Sequence, residues 1–147
     1  IFLNTHGYSG ESLEPYAILT GVDLSFADLD SADLESAVLN NANLTSTDLD
    51  HSDLSLSNLS GTSLVEANLR FSILEGSDLA GADLRGAQLA SASGLGLAIG
   101  RAFYDADTDF TGTGFDPVAA GWSFVPEPNT ALLLGIGLTA LNLRARE

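Results

Sequence analysis

Ala27-Asp28-Leu29-Asp30-Ser31, followed by Ala32-Asp33-Leu34-Glu35-Ser36, is the stretch that decides the fold, because its five-residue pattern continues on both sides. From Leu19 to Leu89 a leucine stands at every fifth residue, fifteen in all, without a miss. Two residues before each leucine stands a small side chain, from Ala17 and Val22 through Thr47, Ser52 and Ser57 to Ala82 and Ala87. Directly before the leucine, Asp or Asn fills ten of the fifteen places. A period of five matches neither the 3.6 of an α-helix nor the 2 of a flat strand. The small residue and the leucine are two apart, so in an extended segment both face inward while the Asp or Asn between them faces out. Each pentapeptide is then a short strand and a corner, and the chain is expected to be all-β.

The motif of Ala27-Asp28-Leu29-Asp30-Ser31 and of Ala82-Asp83-Leu84-Arg85-Gly86 resembles the pentapeptide-repeat family. The resemblance implies a right-handed quadrilateral β-helix, with four pentapeptides to a coil and leucines and small residues stacked inside. On this reading residues 1–16 are a leader, 17–92 the β-helix of nearly four coils, 93–124 a C-terminal cap and linker, and 125–147 a tail. The chain opens at Ile1, and Ile1-Phe2-Leu3 is too short for the apolar region of a signal peptide, so the N-terminus is expected to be incomplete or processed.

The 147 residues suffice for one domain. Five arginines against twenty acidic residues give a net charge of −15, a surface that repels nucleic acid and anionic lipid. With no cysteine there is neither a disulfide framework nor thiolate chemistry.

With twenty residues to a coil, positions twenty apart lie above one another. One outer face then carries Asp28 and Asp30 above Asp48 and Asp50, then Asn68 and Arg70, and the adjoining face adds Asp33, Glu35 and Asp53. Carboxylates stacked at ~4.8 Å repel, and a hard divalent cation relieves that repulsion. Asp28, Asp30, Asp48 and Asp50 are therefore a candidate weak Ca²⁺-binding face; the alternative is that Asp simply suits the outward position and stays solvated. No other metal or cofactor is expected. Phe26, Val38, Leu56, Phe71 and Ile73 also fall outside, scattered. His51 sits beside Asp50, Ser52 and Asp53, but Ser52 points inward and a closed β-helix has no pocket, which argues against a hydrolase.

The period fails at Gly94, and Ser91 to Gly100 reads as a loop leaving the last coil. Asp105, Asp107, Asp109 and Asp116 have the spacing of a calcium loop, although Phe110 stands where such a loop needs glycine. Phe103, Tyr104, Phe110, Phe115 and Trp122 are expected to cover the last leucine layer, as similar segments do in pentapeptide solenoids.

The chain ends with Val125-Pro126-Glu127-Pro128-Asn129-Thr130, an apolar run from Ala131 to Leu143 interrupted by Asn142, then Arg144, Arg146 and Glu147. Motif, apolar helix and basic end in this order resemble the PEP-CTERM sorting signal of Gram-negative bacteria. The resemblance implies recognition at Pro126, Glu127 and Pro128 by an exosortase, a membrane protease. It also implies export alongside exopolysaccharide, with display at the surface or in the extracellular matrix. Thirteen residues as a helix span ~20 Å against a hydrocarbon core of ~30 Å, a marginal and transient membrane anchor. Arg144 and Arg146 would hold its end on the cytoplasmic side. The expectation is thus an exported structural or adhesive protein, not an enzyme, whose partners are the protease, polysaccharide or matrix proteins. The alternative is a cytoplasmic acidic β-helix that inhibits a gyrase-like enzyme by mimicking DNA.

Overall fold

The computed structural model describes residues 15–126. Their backbone is a solenoid held by parallel bridges between residues twenty apart, arranged in four columns. Ile18, Val38, Asn58 and Asp78 form one, Asp23, Asn43, Ser63 and Asp83 the second, Asp28, Asp48, Asn68 and Gln88 the third, and Asp33, Asp53, Ile73 and Ser93 the fourth. The corners follow from the same period. Every fifth residue from Tyr16 to Ser91 has a positive φ, and most of these residues are not glycine. At each corner from Gly21 to Ser91 the amide two residues before the next leucine position donates to the carbonyl of the leucine behind it, as Ser52 does to Leu49 at 3.1 Å. This is the turn class with a left-handed third residue.

The repeat Asp48 to Ser52 shows where every amide goes. Asp48 donates to Ala27, Leu49 to Asn68, His51 to Arg70 and Ser52 to Leu49. The remaining amide, that of Asp50, donates to the side chain of Asp48. No amide of the repeat is left without an acceptor, which a backbone packed this tightly requires.

The interior is the expected one. Leu24 to Leu89 are all at most 1% exposed, and the small residues between them are buried from Ala32 onward. Where the small residue carries a hydroxyl, it bonds a leucine carbonyl at Thr47 (that of Leu24), Thr62 (Leu39), Ser57 (Leu54), Ser72 (Leu69) and Ser77 (Leu74), whereas the buried Ser52 hydroxyl meets no hydrogen-bond partner. Ser and Thr therefore replace Ala at most places in this column without leaving a polar group stranded, Ser52 being the exception.

The bridges continue beyond residue 92. Asp78 pairs with Ile99, Asp83 with Phe103 and Gln88 with Asp109. A last turn of chain then brings a two-residue strand, β1 (Phe103–Tyr104), against β2 (Ser123–Phe124). The segment read as a departing loop is a corner one residue longer than the others. Gly94 takes φ 80°, a 3₁₀ turn runs over Leu95–Leu97, and Ile99 rejoins the ladder. Leu95 fills the core at 3% exposure and Tyr104 at 8%, so the stack persists after the strict period has gone. Tyr104, Phe110, Phe115 and Trp122 form a ring cluster with centroids 4.8–6.0 Å apart, joined by Phe124. Phe103, expected in that cap, instead takes an outward bridge position and is 42% exposed. No helix among the described residues is long and apolar enough to cross a membrane. The apolar segment 131–143 lies outside the described residues.

Candidate functional site: the acidic outer faces

The outward Asp or Asn of each repeat has a local task. Its Oδ1 accepts the amide hydrogen of the residue two further on: Asp23 from Ser25, Asp33 from Glu35, Asn43 from Thr45, Asn58 from Ser60, Asp78 from Ala80. The ladder between coils leaves that amide unused, and a short carboxylate or carboxamide is the right length to close it. Serine at the donor position adds a second bond through its hydroxyl at Ser25, Ser55 and Ser60.

Asp28 and Asp48 do the same for the amides of Asp30 and Asp50, and Asp48 also accepts the Asn68 carboxamide at 2.8 Å. Of the four candidate carboxylates, the two that converge are Asp30 and Asp50, joined by His51. Ligand atoms of Asp30, Asp50 and His51 lie within 4.8 Å of one another. His51 Nδ1 is 3.2 Å from Asp50, its ring stacks on Phe71 of the next coil at 4.9 Å and 17°, and the Arg70 guanidinium lies 5.9 Å from that Phe71 ring. The calcium-loop spacing at the C-terminal end assembles no common centre. The buried Asp105 accepts from the Gly86 and Asp107 amides and the Thr108 hydroxyl, Asp109 from the Thr111 amide, and Asp116 from those of Val118 and Ala119. An open cleft lined by Val65, Glu66, Arg85, Gly86, Asp105 and Asp107 is shallow. Ser52 is buried and turned away from His51, and no nucleophile and base meet there.

Of the sorting residues, Pro126 is exposed, while Glu127, Pro128, Arg144 and Arg146 lie outside the described residues.

The family model for pentapeptide repeats matches residues 17–55 and 62–93, with eight copies. The chain is a pentapeptide-repeat protein. Proteins of this family fold as right-handed quadrilateral β-helices, the form that the four bridge columns trace here. The chain is similar to the pentapeptide repeat protein Rfr23 from the cyanobacterium Cyanothece 51142, at 38% identity and TM-score 0.61 over 63% of each chain. It therefore spans less than two thirds of that protein's length. A pentapeptide repeat protein from Nostoc PCC 7120 is 33% identical over 66% of this chain and 84% of that one, with TM-score 0.47. QnrB1, a plasmid-mediated fluoroquinolone resistance protein, is 17% identical over 84% of this chain and 68% of that one, with TM-score 0.34. No curated protein matches the chain.

One carboxylate of this pentapeptide-repeat protein makes its electrostatics measurable. Asp83 is held below the usual carboxylate range, first by the Arg85 side chain, which it meets at 2.7 Å, with burial opposing and the Arg85 amide and charge assisting. Ser25 lowers Asp23 in the same way through its hydroxyl, and Thr111 lowers Asp109. A folded-state pKa below the unfolded value of about 3.8 adds stability that is complete above that value and is lost as pH falls through the folded pKa. Asp83→Asn keeps an acceptor for the Arg85 amide and removes the ion pair. The native chain is therefore expected to exceed Asp83→Asn by less than about 1 kcal/mol at neutral pH, the pair being partly exposed, with the gap closing in acid. Urea midpoints of both proteins at neutral pH and below the carboxylate range check this; a gap that widens in acid contradicts it.

Proposed function

We propose that this protein is an exported, non-catalytic rod that spaces or links components at the cell surface or in the extracellular matrix. The observation that carries this reading is how the side chains are used. The interior is filled from Leu19 to Trp122, and the outward Asp and Asn side chains are engaged in closing their own corners. What the rod offers a partner is a set of long, mostly acidic faces of fixed spacing. That suits polysaccharide, matrix proteins or a divalent cation held weakly at Asp30, Asp50 and His51, and it does not suit a substrate that needs an enclosed site. Pro126-Glu127-Pro128 is proposed as the recognition motif of an exosortase-like membrane protease, with the apolar run 131–143 a transient anchor and Arg144 and Arg146 its cytoplasmic end.

The columns of carboxylates favour one other reading, a cytoplasmic mimic of DNA that inhibits a gyrase-like enzyme. Intact-mass analysis of the protein from surface, medium and cytoplasmic fractions of its host separates the two. A species outside the cell ending near residues 126–128 is the expected result. Full-length protein confined to the cytoplasm overturns sorting and makes gyrase inhibition the next measurement.

A further inference from the structure

The four outer faces are unequally charged. Between the corners of Tyr16, Ser36, Leu56 and Gly76 and those of Gly21, Asn41, Gly61 and Gly81, the outward residues are Ile18 and Thr20, Val38 and Asn40, Asn58 and Ser60, then Asp78 and Ala80. The ladder carries this face on through Ile99 and Arg101. In a chain of net charge −15, this face holds one carboxylate and one guanidinium among its described residues. It also collects exposed apolar side chains: Tyr16 at 68%, Ile18 at 81%, Leu56 at 61%, Leu97 at 62% and Ile99 at 58%. The fold turns residues that look scattered in sequence into a lane, apolar at both ends and at the middle coil.

We infer that two copies of the chain pack side by side and antiparallel along this face. Charge selects the occupant: two copies of so acidic a rod repel along the columns of Asp28, Asp48, Asp33 and Asp53, and approach at least cost where carboxylates are scarce. The order of residues selects the direction. A twofold axis at the middle coil sets Leu56 against Leu56 of the second copy and Tyr16 and Ile18 against its Leu97 and Ile99, which is the self-complementarity of an isologous contact. A parallel pair, with its twofold axis along the rod, exchanges the two edges of the face and so sets Tyr16 and Leu56 against the Gly21 and Gly61 corners of the second copy, where these apolar anchors meet no apolar side chain. Five coils at ~4.8 Å make a contact only about 20 Å long, well under the ~800 Å² per partner of a standard interface, so association is weak and concentration-dependent.

The chain has no cysteine, so single-cysteine variants of the full protein report the contact directly. Leu56→Cys and Glu66→Cys sit on two corners of one coil, both exposed and at matching φ of 58° and 57°, on the charge-poor and the acidic side respectively. Under mild oxidation Leu56→Cys is expected to cross-link to a dimer at least tenfold faster than Glu66→Cys. Ile18→Cys mixed with Ile99→Cys is expected to form the mixed dimer in preference to either like pair. Equal rates for Leu56→Cys and Glu66→Cys, or no dimer from Leu56→Cys, overturn self-association and leave the face to a different kind of partner. Like pairs of Ile18→Cys forming ahead of the mixed pair overturn the antiparallel arrangement.

Discussion

Replacing Leu54 with alanine is expected to lower the stability of the solenoid by about 3–5 kcal/mol, the upper range for a leucine truncated in a core. Leu54 is fully buried and lies in the leucine column between Leu34 and Leu74, fixed there by the bridges of Asp33 to Asp53 and Asp53 to Ile73. Those bridges leave neighbouring coils little freedom to collapse into the space, because spacing along the rod is set by backbone hydrogen bonds such as Leu34 to Asp53 and Leu54 to Ile73, both 2.8 Å. A cavity that cannot relax retains its full cost. The position along the rod matters as much as burial. Stability in a solenoid is carried by contacts between neighbouring coils, so a defect in the middle weakens two interfaces and a defect at the end weakens one. Leu19, in the first described coil and 7% exposed, is the comparison. Leu19→Ala is expected to cost less than half as much, and hydrogen exchange should show its loss of protection confined to the first coil. Urea denaturation of the three proteins checks the order; a Leu54→Ala loss within about 1 kcal/mol of the Leu19→Ala loss would mean the interior is not close-packed.

The leucine column was legible in the sequence because a period of five needs no knowledge of distant contacts, whereas the twenty-residue register came from the resemblance to pentapeptide repeats, which implies four such periods to a coil. The work of the outward Asp and Asn was harder to see. Both readings made of Asp28 and Asp48, a solvated surface or a cation site, looked outward from the backbone. The bonds to the amides of Asp30 and Asp50 run along it, and only the turn geometry reveals them. The pairing of His51 with Phe71 joins residues twenty apart, so sequence neighbours pointed to Ser52 and Asp53 instead. At the C-terminal end the alternation of 20- and 21-residue spacings among Asp78–Ile99, Asp83–Phe103 and Gln88–Asp109 erased the period although the ladder continues. An inserted residue is absorbed at a corner in space, but in sequence it moves Ile99 out of phase, Phe103 falls back into it and Asp109 leaves it again, so no single period runs through the segment.

The lengthened corner is the site of the second large effect. Gly94→Ala is expected to destabilise the C-terminal coils by at least about 2–3 kcal/mol, and Gly81→Ala by about 1 kcal/mol, although the two glycines have similar φ of 80° and 71°. Positive φ alone does not decide the matter, since serine, asparagine, phenylalanine and leucine occupy equivalent corners from Tyr16 to Ser91. The difference lies in what a methyl group would meet. At Gly81 nothing lies within 4 Å, so only the left-handed strain is added. At Gly94 the methyl carbon would stand 2.4 Å from the Glu75 amide nitrogen and 2.6 Å from its Cα, and these are backbone atoms that cannot swing aside. Relief requires the chain around Gly94 to move off Glu75, and that displacement works against the 3₁₀ turn and the bridge of Ile99 to Asp78 that follow. The coil packed beneath the Tyr104, Phe110 and Trp122 cluster would then lose its register, so Trp122 fluorescence reports the local event while circular dichroism reports the whole rod. The expected signature is a Trp122 transition that moves to lower urea ahead of the backbone transition in Gly94→Ala, with both unchanged relative to each other in Gly81→Ala. Equal losses in the two variants would assign the requirement for glycine to φ alone and remove the close approach to Glu75 from the account.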